Sequence, residues 1–171
     1  MIRMHPLFHP LYIDYCTYFN GNRDYFECHE VLEEYWKQIA PGKRNHPLVG
    51  YIQVATGMYH WRRGNRKGAI RILQKGFKIL NEQRNSIFYE KIDIDNFLDN
   101  IEYRIEQLNK NEVFTPFDLI ITDDELKKIV DERICNSAPV DEQFILHKHS
   151  LRDRSEIIAL RNKKLLNRNQ H

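Results

Sequence analysis

Apolar residues recur every three or four positions through most of the chain, and no stretch alternates at period two for long enough to predict a sheet. This pattern predicts an all-α, single-domain multihelical bundle, with one or two helical turns near 11–19 before the longer helices. The longer helices are predicted at 23–40, 47–63, 66–83, 93–108, 123–133 and 151–166.

Capping and turn residues separate the predicted helices. Pro47 suits the first turn of a helix, where its missing N–H has no intrahelical partner. Gly64 followed by Asn65 predicts a helix end and then the N-cap of the next helix. Thr122 and Glu125 have the spacing of a capping box, so Thr122 is predicted to open the helix that follows it.

The helix at 47–63 is apolar almost all round, which predicts a buried central position in the bundle. Pro116 favours a short extended segment near 113–121. The predicted organisation is a helical bundle domain at 1–133, a linker at 134–150 and a basic C-terminal helical extension at 151–171.

No apolar run reaches the roughly 18 residues that a membrane span needs, and the first residues lack the pattern of a secretory signal. The expected location is therefore the cytoplasm. The three cysteines, Cys16, Cys28 and Cys135, form no CxxC pair, which favours reduced packing residues over a disulfide or a thiolate zinc site.

Basic residues are concentrated near the C-terminus. The whole chain has a formal charge of +2, yet residues 148–171 hold seven basic and only two acidic side chains. Docking of this segment on an acidic surface of its own or a partner chain is favoured over nucleic-acid binding. We therefore expect a homodimer, formed through the tail or an apolar face, with an unknown protein partner as the alternative.

Two polar side chains fall on the predicted core-facing side of the helix at 23–40. At 100° per residue, His29 and Glu33 lie in the same arc as Tyr25 and Trp36. An unsatisfied polar group in a core costs about 1–3 kcal/mol. Glu33 therefore needs a partner.

The next helix offers such partners on one narrow stripe that contains Gln53, Gly57 and His60. A short connection makes the two helices antiparallel neighbours, which places His29 level with Gly57 and His60, and Glu33 beside Gln53. The sequence thus predicts a buried polar network of histidine, glutamate and glutamine between two antiparallel helices.

Three interpretations of this network stay open. The favoured one is a structural network in a non-enzymatic binding or interaction module. The second is a small-ligand or catalytic pocket, because an imidazole and a carboxylate can do acid–base work. The third is a zinc or iron site at His29 and Glu33, with His60 or Glu30 as a third ligand; no other cofactor is predicted.

Motifs of common enzymes do not occur: there is no Gly-x-Ser-x-Gly elbow, phosphate-binding glycine loop or dinucleotide fingerprint. A further alternative is binding of an anion or a nucleic acid through the basic turn between the second and third long helices together with the basic C-terminal tail. The candidates are Arg62, Arg63, Asn65, Arg66, Lys67 and Arg71.

The stretches FNGNRDYFECHEVLEEYW at 19–36 and GYIQVATGMYHWRRGNRKGAIRILQKG at 50–76 resemble the signature of domain of unknown function 309, a family of small helical bacterial and archaeal proteins. The resemblance covers roughly residues 11–110. It implies a multihelical bundle around a buried central helix and supplies no activity. The residues assigned a structural role are Tyr25, Phe26, Trp36, Gly57 and Gly64.

Overall fold

The computed structural model describes residues 4–137, which form six α-helices and two short 3₁₀ turns. Within that range there is no β-strand, only an isolated bridge between Ile92 and Ile121. The all-α prediction is confirmed. The helices are α1 (Pro10–Asn20), α2 (Tyr25–Ile39), α3 (Pro47–Arg62), α4 (Arg66–Glu82), α5 (Ile94–Asn109) and α6 (Asp124–Cys135).

Side-chain caps begin the helices. Asp24 caps α2 by accepting from the backbone N–H of Glu27, and His46 caps α3 through Nδ1, directly before Pro47 in the first turn. The predicted capping role of Thr122 was wrong by one residue. Asp123 accepts from Leu126 N at 2.9 Å, because an aspartate at that position serves as an N-cap as well as a threonine does.

The end of α3 and the start of α4 are fixed by backbone geometry. Gly64 has a φ of +86°, a conformation that side chains with a Cβ rarely adopt. Its N–H donates to Trp61 O, and Asn65 N donates to His60 O, which is the hydrogen-bond pair of a Schellman motif. Asn65 then accepts from Gly68 N and caps α4.

Helix α3 lies at the centre of the bundle and packs mainly against α4 and α2. Its glycines allow the close approach of α4: a Cβ on Gly57 would lie 2.6 Å from Leu73 Cδ2, and one on Gly50 would lie 2.7 Å from Leu80 Cδ2. The small residues of α3 therefore allow the close approach of α4.

A buried tyrosine cluster joins α1 to α3. Tyr12 donates to the hydroxyl of Tyr51 at 3.2 Å, and Tyr51 donates to Phe88 O at 2.6 Å. Tyr15 donates to the backbone carbonyl of Tyr51 at 2.7 Å. These hydrogen bonds satisfy polar groups inside a predominantly aromatic core, which fixes α1 against the central helix.

The segment predicted to be extended near 113–121 has neither helix nor strand from 112 to 120. Asn20 holds it by exchanging two hydrogen bonds with the backbone of Leu119, and Arg104 donates to Pro116 O at 2.9 Å.

Helix α6 continues to Cys135, two residues beyond the predicted bundle boundary at 133. Most of the predicted linker and all of the C-terminal basic helix lie outside the described residues.

Candidate functional site: a groove between three helices

A groove of about 360 Å³ opens between α2, α3 and α4. It combines an apolar wall with charged and hydrogen-bonding groups, which is the usual composition of small-molecule sites. The lining residues are His29, Glu33, Trp36, Arg44, Val49, Ile52, Gln53, Thr56, Ile72 and Lys75.

One side of the groove carries an imidazole–carboxylate pair. His29 Nε2 lies 3.2 Å from Glu33 Oε2, and Lys37 Nζ lies 2.8 Å from Glu33 Oε1. The hydrogen bond and charge of Glu33 raise the pKa of Lys37. Because α2 and α3 leave the groove open here, the side chains of His29 and Glu33 are 33% and 32% exposed. This pair of the predicted buried network is therefore partly buried.

The floor of the groove carries two hydrogen-bond acceptors from α3. Gln53 Oε1 is buried and has no hydrogen-bond partner. The hydroxyl of Thr56 already donates to Ile52 O at 2.8 Å, so its oxygen is left as an acceptor. A buried carbonyl oxygen without a donor costs free energy, which makes the Gln53 amide the least satisfied polar group of the groove.

The apolar wall is held in place by an indole hydrogen bond. Trp36 Nε1 donates to Lys43 O at 3.0 Å, which fixes the ring against the loop between α2 and α3. Val49, Ile52 and Ile72 complete this wall. With its N–H engaged, the Trp36 ring offers its apolar surface to the groove.

His60, the fourth member of the predicted network, is not part of the groove lining. Its Nδ1 lies 3.2 Å from Asn65 Nδ2, and its ring packs edge-on against Tyr59 with centroids 6.1 Å apart. The structure therefore brings His29, Glu33 and Gln53 into one groove and places His60 at the C-terminal end of α3.

The arrangement around His29 does not resemble a metal centre. Nε2 faces Glu33, whereas Nδ1 lies 3.4 Å from Glu30, so the two carboxylates approach opposite edges of the ring. One ion cannot be bound by both carboxylates and a single imidazole nitrogen in that geometry. Within residues 4–137 no group of three or more His, Cys, Asp or Glu side chains could hold a metal ion.

One of the arginines of the basic turn is directed into the bundle. Arg62 points inward: its Nη1 donates to Arg23 O at 2.9 Å, and its guanidinium carbon lies 4.9 Å from the centroid of Tyr25 and 5.7 Å from that of Phe114. Burial lowers the pKa of Arg62. Arg63 lies over the ring of Tyr59, 5.2 Å from its centroid.

The other members of that turn are also divided. Arg66 donates to Glu112 O at 2.8 Å, and the Gly68 amide donates to Asn65 Oδ1 in the N-cap of α4. Lys67 and Arg71 lie on the exposed face of α4. Side chains near one turn of a helix hairpin project on different sides of the helices, which is why Arg62 is separated from its basic neighbours.

Sequence reasoning missed the cationic part of the groove. Arg44 comes from the loop after α2 and Lys75 from α4, and neither belongs to the polar stripes of α2 and α3. The sequence held one signal for Lys75: it lies three positions after Ile72 on α4, so the two side chains share a face of that helix.

Comparison with known proteins decides the family. The model of Domain of unknown function (DUF309) matches residues 12–72. The chain is also 36% identical over 163 residues to the uncharacterized protein YpuF of Bacillus subtilis (strain 168), an alignment that covers 90% of this chain and 92% of that protein. The chain belongs to the DUF309 family. No solved structure matches it.

The part of the chain that matches the DUF309 model includes the whole of α2 and α3 and the first part of α4. Every residue that lines the groove except Lys75 falls inside it. In this DUF309 protein, the residues that match the family model therefore supply nearly all of the groove lining. No helix in the part of the chain that the structure describes is long and apolar enough to cross a membrane.

Proposed function

We propose that the protein is a non-enzymatic binding module and that the groove between α2, α3 and α4 holds a small ligand. The observation that carries this proposal is that the partly exposed His29–Glu33 pair and the apolar side chains of Trp36 and Ile52 line the same groove. A ligand with a hydrogen-bonding group and an apolar part would find a partner for each of them in this groove.

The size of the groove supports a small ligand. Its volume of about 360 Å³ lies near the lower end of the range for small-molecule sites, about 300–1,000 Å³. The groove is formed by packed helices rather than by loops alone, so the ligand would find its polar and apolar partners already in place.

The experiment is a screen of a fragment library by two-dimensional ¹H–¹⁵N NMR on the full chain. Binding in the groove should shift the side-chain amide of Gln53 and the indole N–H of Trp36 and leave the indole of Trp61 unchanged. Trp61 is buried elsewhere in the bundle and does not line the groove, which makes it an internal reference.

A filling variant provides the control. Thr56→Phe should occupy the groove and abolish these shifts, whereas Gln74→Phe, on an exposed position of α4 outside the lining, should leave them intact. Thermal unfolding of both variants checks that they are folded. Fragments that shift only residues outside the groove would contradict the proposal.

The homodimer and the cytoplasmic location stay predictions of the sequence. The basic C-terminal extension is the segment to which we assign dimer formation, with an apolar face as the alternative. Light scattering on the full chain and on a chain shortened to residues 1–137 tests this assignment: the full chain should be a dimer and the shortened chain a monomer.

A further inference from the structure

Four basic side chains form a row along the outer face of α4. This row is the basic stripe, and its members are Lys67, Arg71, Lys75 and Lys78. At 100° and 1.5 Å per residue they lie within about 80° around the helix axis and span about 16 Å along it. All four are exposed, and the buried Ala69, Leu73 and Leu80 lie on the opposite side of α4. The basic stripe therefore points away from the bundle.

The charge pattern of the basic stripe differs from that of the other helices. On α2, α5 and α6 a lysine lies four residues from a carboxylate and pairs with it, as Lys110 Nζ does with Glu106 Oε1 at 3.0 Å. On α4, Lys67, Arg71 and Lys75 follow one another at intervals of four, which makes like charges neighbours on the helix surface. In the part of the chain that the structure describes, no member of the basic stripe takes part in an ion pair. Repulsion along the stripe disfavours the helix, so a bound polyanion would stabilise it.

An acidic row on α5 limits the size of this surface. Helix α5 packs beside α4, and its exposed carboxylates recur at intervals of three or four residues. They are Asp95, Asp99, Glu102 and Glu106. The axes of packed helices lie about 8–10 Å apart, which is within the screening length of about 10 Å at 0.1 M salt. A polyanion on the basic stripe is therefore repelled from α5 and must follow the axis of α4.

The surroundings of the basic stripe discriminate between kinds of polyanion. A helix that binds an anionic membrane also inserts apolar side chains, but α4, which the structure describes in full, exposes no large apolar residue. Single-stranded nucleic acid is bound by stacking on exposed aromatic rings, whereas the aromatic residue of α4, Phe77, packs against the core. Duplex RNA is contacted through its 2′-hydroxyl groups as well as its phosphates. Duplex DNA can be held by charge alone, because it carries one negative charge per about 1.7 Å of its axis.

We infer that the basic stripe binds the phosphate backbone of duplex DNA and does not read its base sequence. A duplex segment of about 16 Å carries about nine phosphates, which is more than twice the number of cations in the stripe. Each contact releases counterions from the DNA, which gives the association both its free energy and its dependence on salt. The inference goes beyond the proposed function, because the basic stripe and the groove take different ligands and share only Lys75.

The experiment measures binding of the full chain to a DNA duplex of mixed sequence by fluorescence anisotropy, between about 50 and 200 mM salt. The stripe variant carries Lys67→Gln, Arg71→Gln, Lys75→Gln and Lys78→Gln. Each phosphate contact contributes about −0.9 to the slope of the logarithm of the association constant against the logarithm of the salt concentration. The slope of the stripe variant should therefore be shallower than that of the wild type by about 3.6, and that of Arg71→Gln alone by about 0.9.

A wild-type slope in the stripe variant would overturn the inference. Any binding would then come from another basic segment, such as residues 148–171.

A control variant loses the same net charge at other sites. It carries Lys110→Gln, Lys127→Gln, Lys128→Gln and Arg133→Gln, which are exposed positions at the end of α5 and on α6. Its slope should stay within about 1 of the wild-type slope. Circular dichroism and thermal unfolding check that both variants are folded. An equal change of slope in the two variants would overturn the inference, because affinity would then follow net charge rather than the position of the charges.

Other polyanions test the choice of partner. The comparison uses a single DNA strand of the same length, an RNA duplex, vesicles with equal amounts of phosphatidylserine and phosphatidylcholine, and poly-L-glutamate as a model of an acidic protein. Loss of the basic stripe should weaken the complex with duplex DNA more than any of these. A larger loss for one of them would assign the stripe to that partner and overturn the DNA inference. None of these outcomes bears on the groove, because the fragment screen observes Gln53 and Trp36, which lie outside the basic stripe.

Discussion

The guanidinium of Arg62 stacks over the ring of Tyr25, with its central carbon 4.9 Å from the ring centroid. Arg62 Nη1 donates to a backbone carbonyl, but Nε and Nη2 are buried without a hydrogen-bond partner. The charge is therefore stabilised by the aromatic faces of Tyr25 and Phe114 and by the nearby carboxylate of Asp24. This position follows from the inward turn of the last residue of α3 and could not be read from a run of basic residues.

Truncation and charge removal should have different effects at this position. We expect Arg62→Ala to lower the free energy of unfolding by about 2–4 kcal/mol, because it removes both the packed stem and the cation–π contacts. Arg62→Met should cost less, because it keeps the stem and removes a charge whose burial is only partly compensated. Urea denaturation measures both values, and equal losses would contradict this account.

Close packing between α3 and α4 should make Gly57 intolerant of a side chain. A Cβ at this position would lie 2.6 Å from Leu73 Cγ and Cδ2, so we expect Gly57→Ala to destabilise the protein by about 1–3 kcal/mol through overpacking.

The matched test of this cause is a double-mutant cycle with Leu73→Ala. In that background Gly57→Ala should cost much less, because the clash is gone and alanine favours the helix by about 1 kcal/mol over glycine. If Gly57→Ala costs the same in both backgrounds, the contact with Leu73 is not the cause.

The three cysteines should differ in reactivity. Burial raises the pKa of the Cys16 thiol to about 12 and also raises that of Cys28, whereas Cys135 is exposed. Since the thiolate is the nucleophile, iodoacetamide at pH 8 should label Cys135 alone in the native protein and all three cysteines in urea. Peptide mass spectrometry identifies the labelled sites, and rapid native labelling of Cys16 would show that α1 is not packed as described.

The start of α3 should weaken in acid. Burial and the charge of Lys43 lower the pKa of His46, whose Nδ1 must stay unprotonated to accept from Leu48 N at 3.1 Å. A lowered folded pKa means that this stabilisation is present above the unfolded value, about 6.5, and is lost as the pH falls below it through the folded value.

His46→Asn tests this dependence, because asparagine keeps a capping oxygen that does not titrate. The unfolding free energy of the wild type should fall more steeply than that of the variant between pH 7.5 and pH 5.5. Parallel pH profiles would mean that His46 is not a source of the acid sensitivity.

Helical periodicity predicted some residues of the groove and could not predict others. His29 and Glu33 were assigned to one face by their spacing, and Gln53 to the facing helix by level, and all three line the groove. Arg44 and Lys75 come from a loop and from a third helix, so no periodicity within α2 or α3 could include them. His60 lies near the end of α3, where its Nδ1 is 3.2 Å from Asn65 Nδ2, and it does not line the groove.

Within residues 4–137 the sequence by itself determined the helices to within two residues at each end, and which of them is central, because these depend on local capping, on glycine and proline geometry, and on the periodicity of apolar residues along a few turns. Only the tertiary structure decided that α2 and α3 leave a groove beside α4 and that Arg62 turns away from its basic neighbours to lie over Tyr25. The groove depends on how completely the side chains of three packed helices fill the space between them. The position of Arg62 depends on which side chains are buried beside it. Both depend on residues that are distant in the sequence, so no local pattern could predict them.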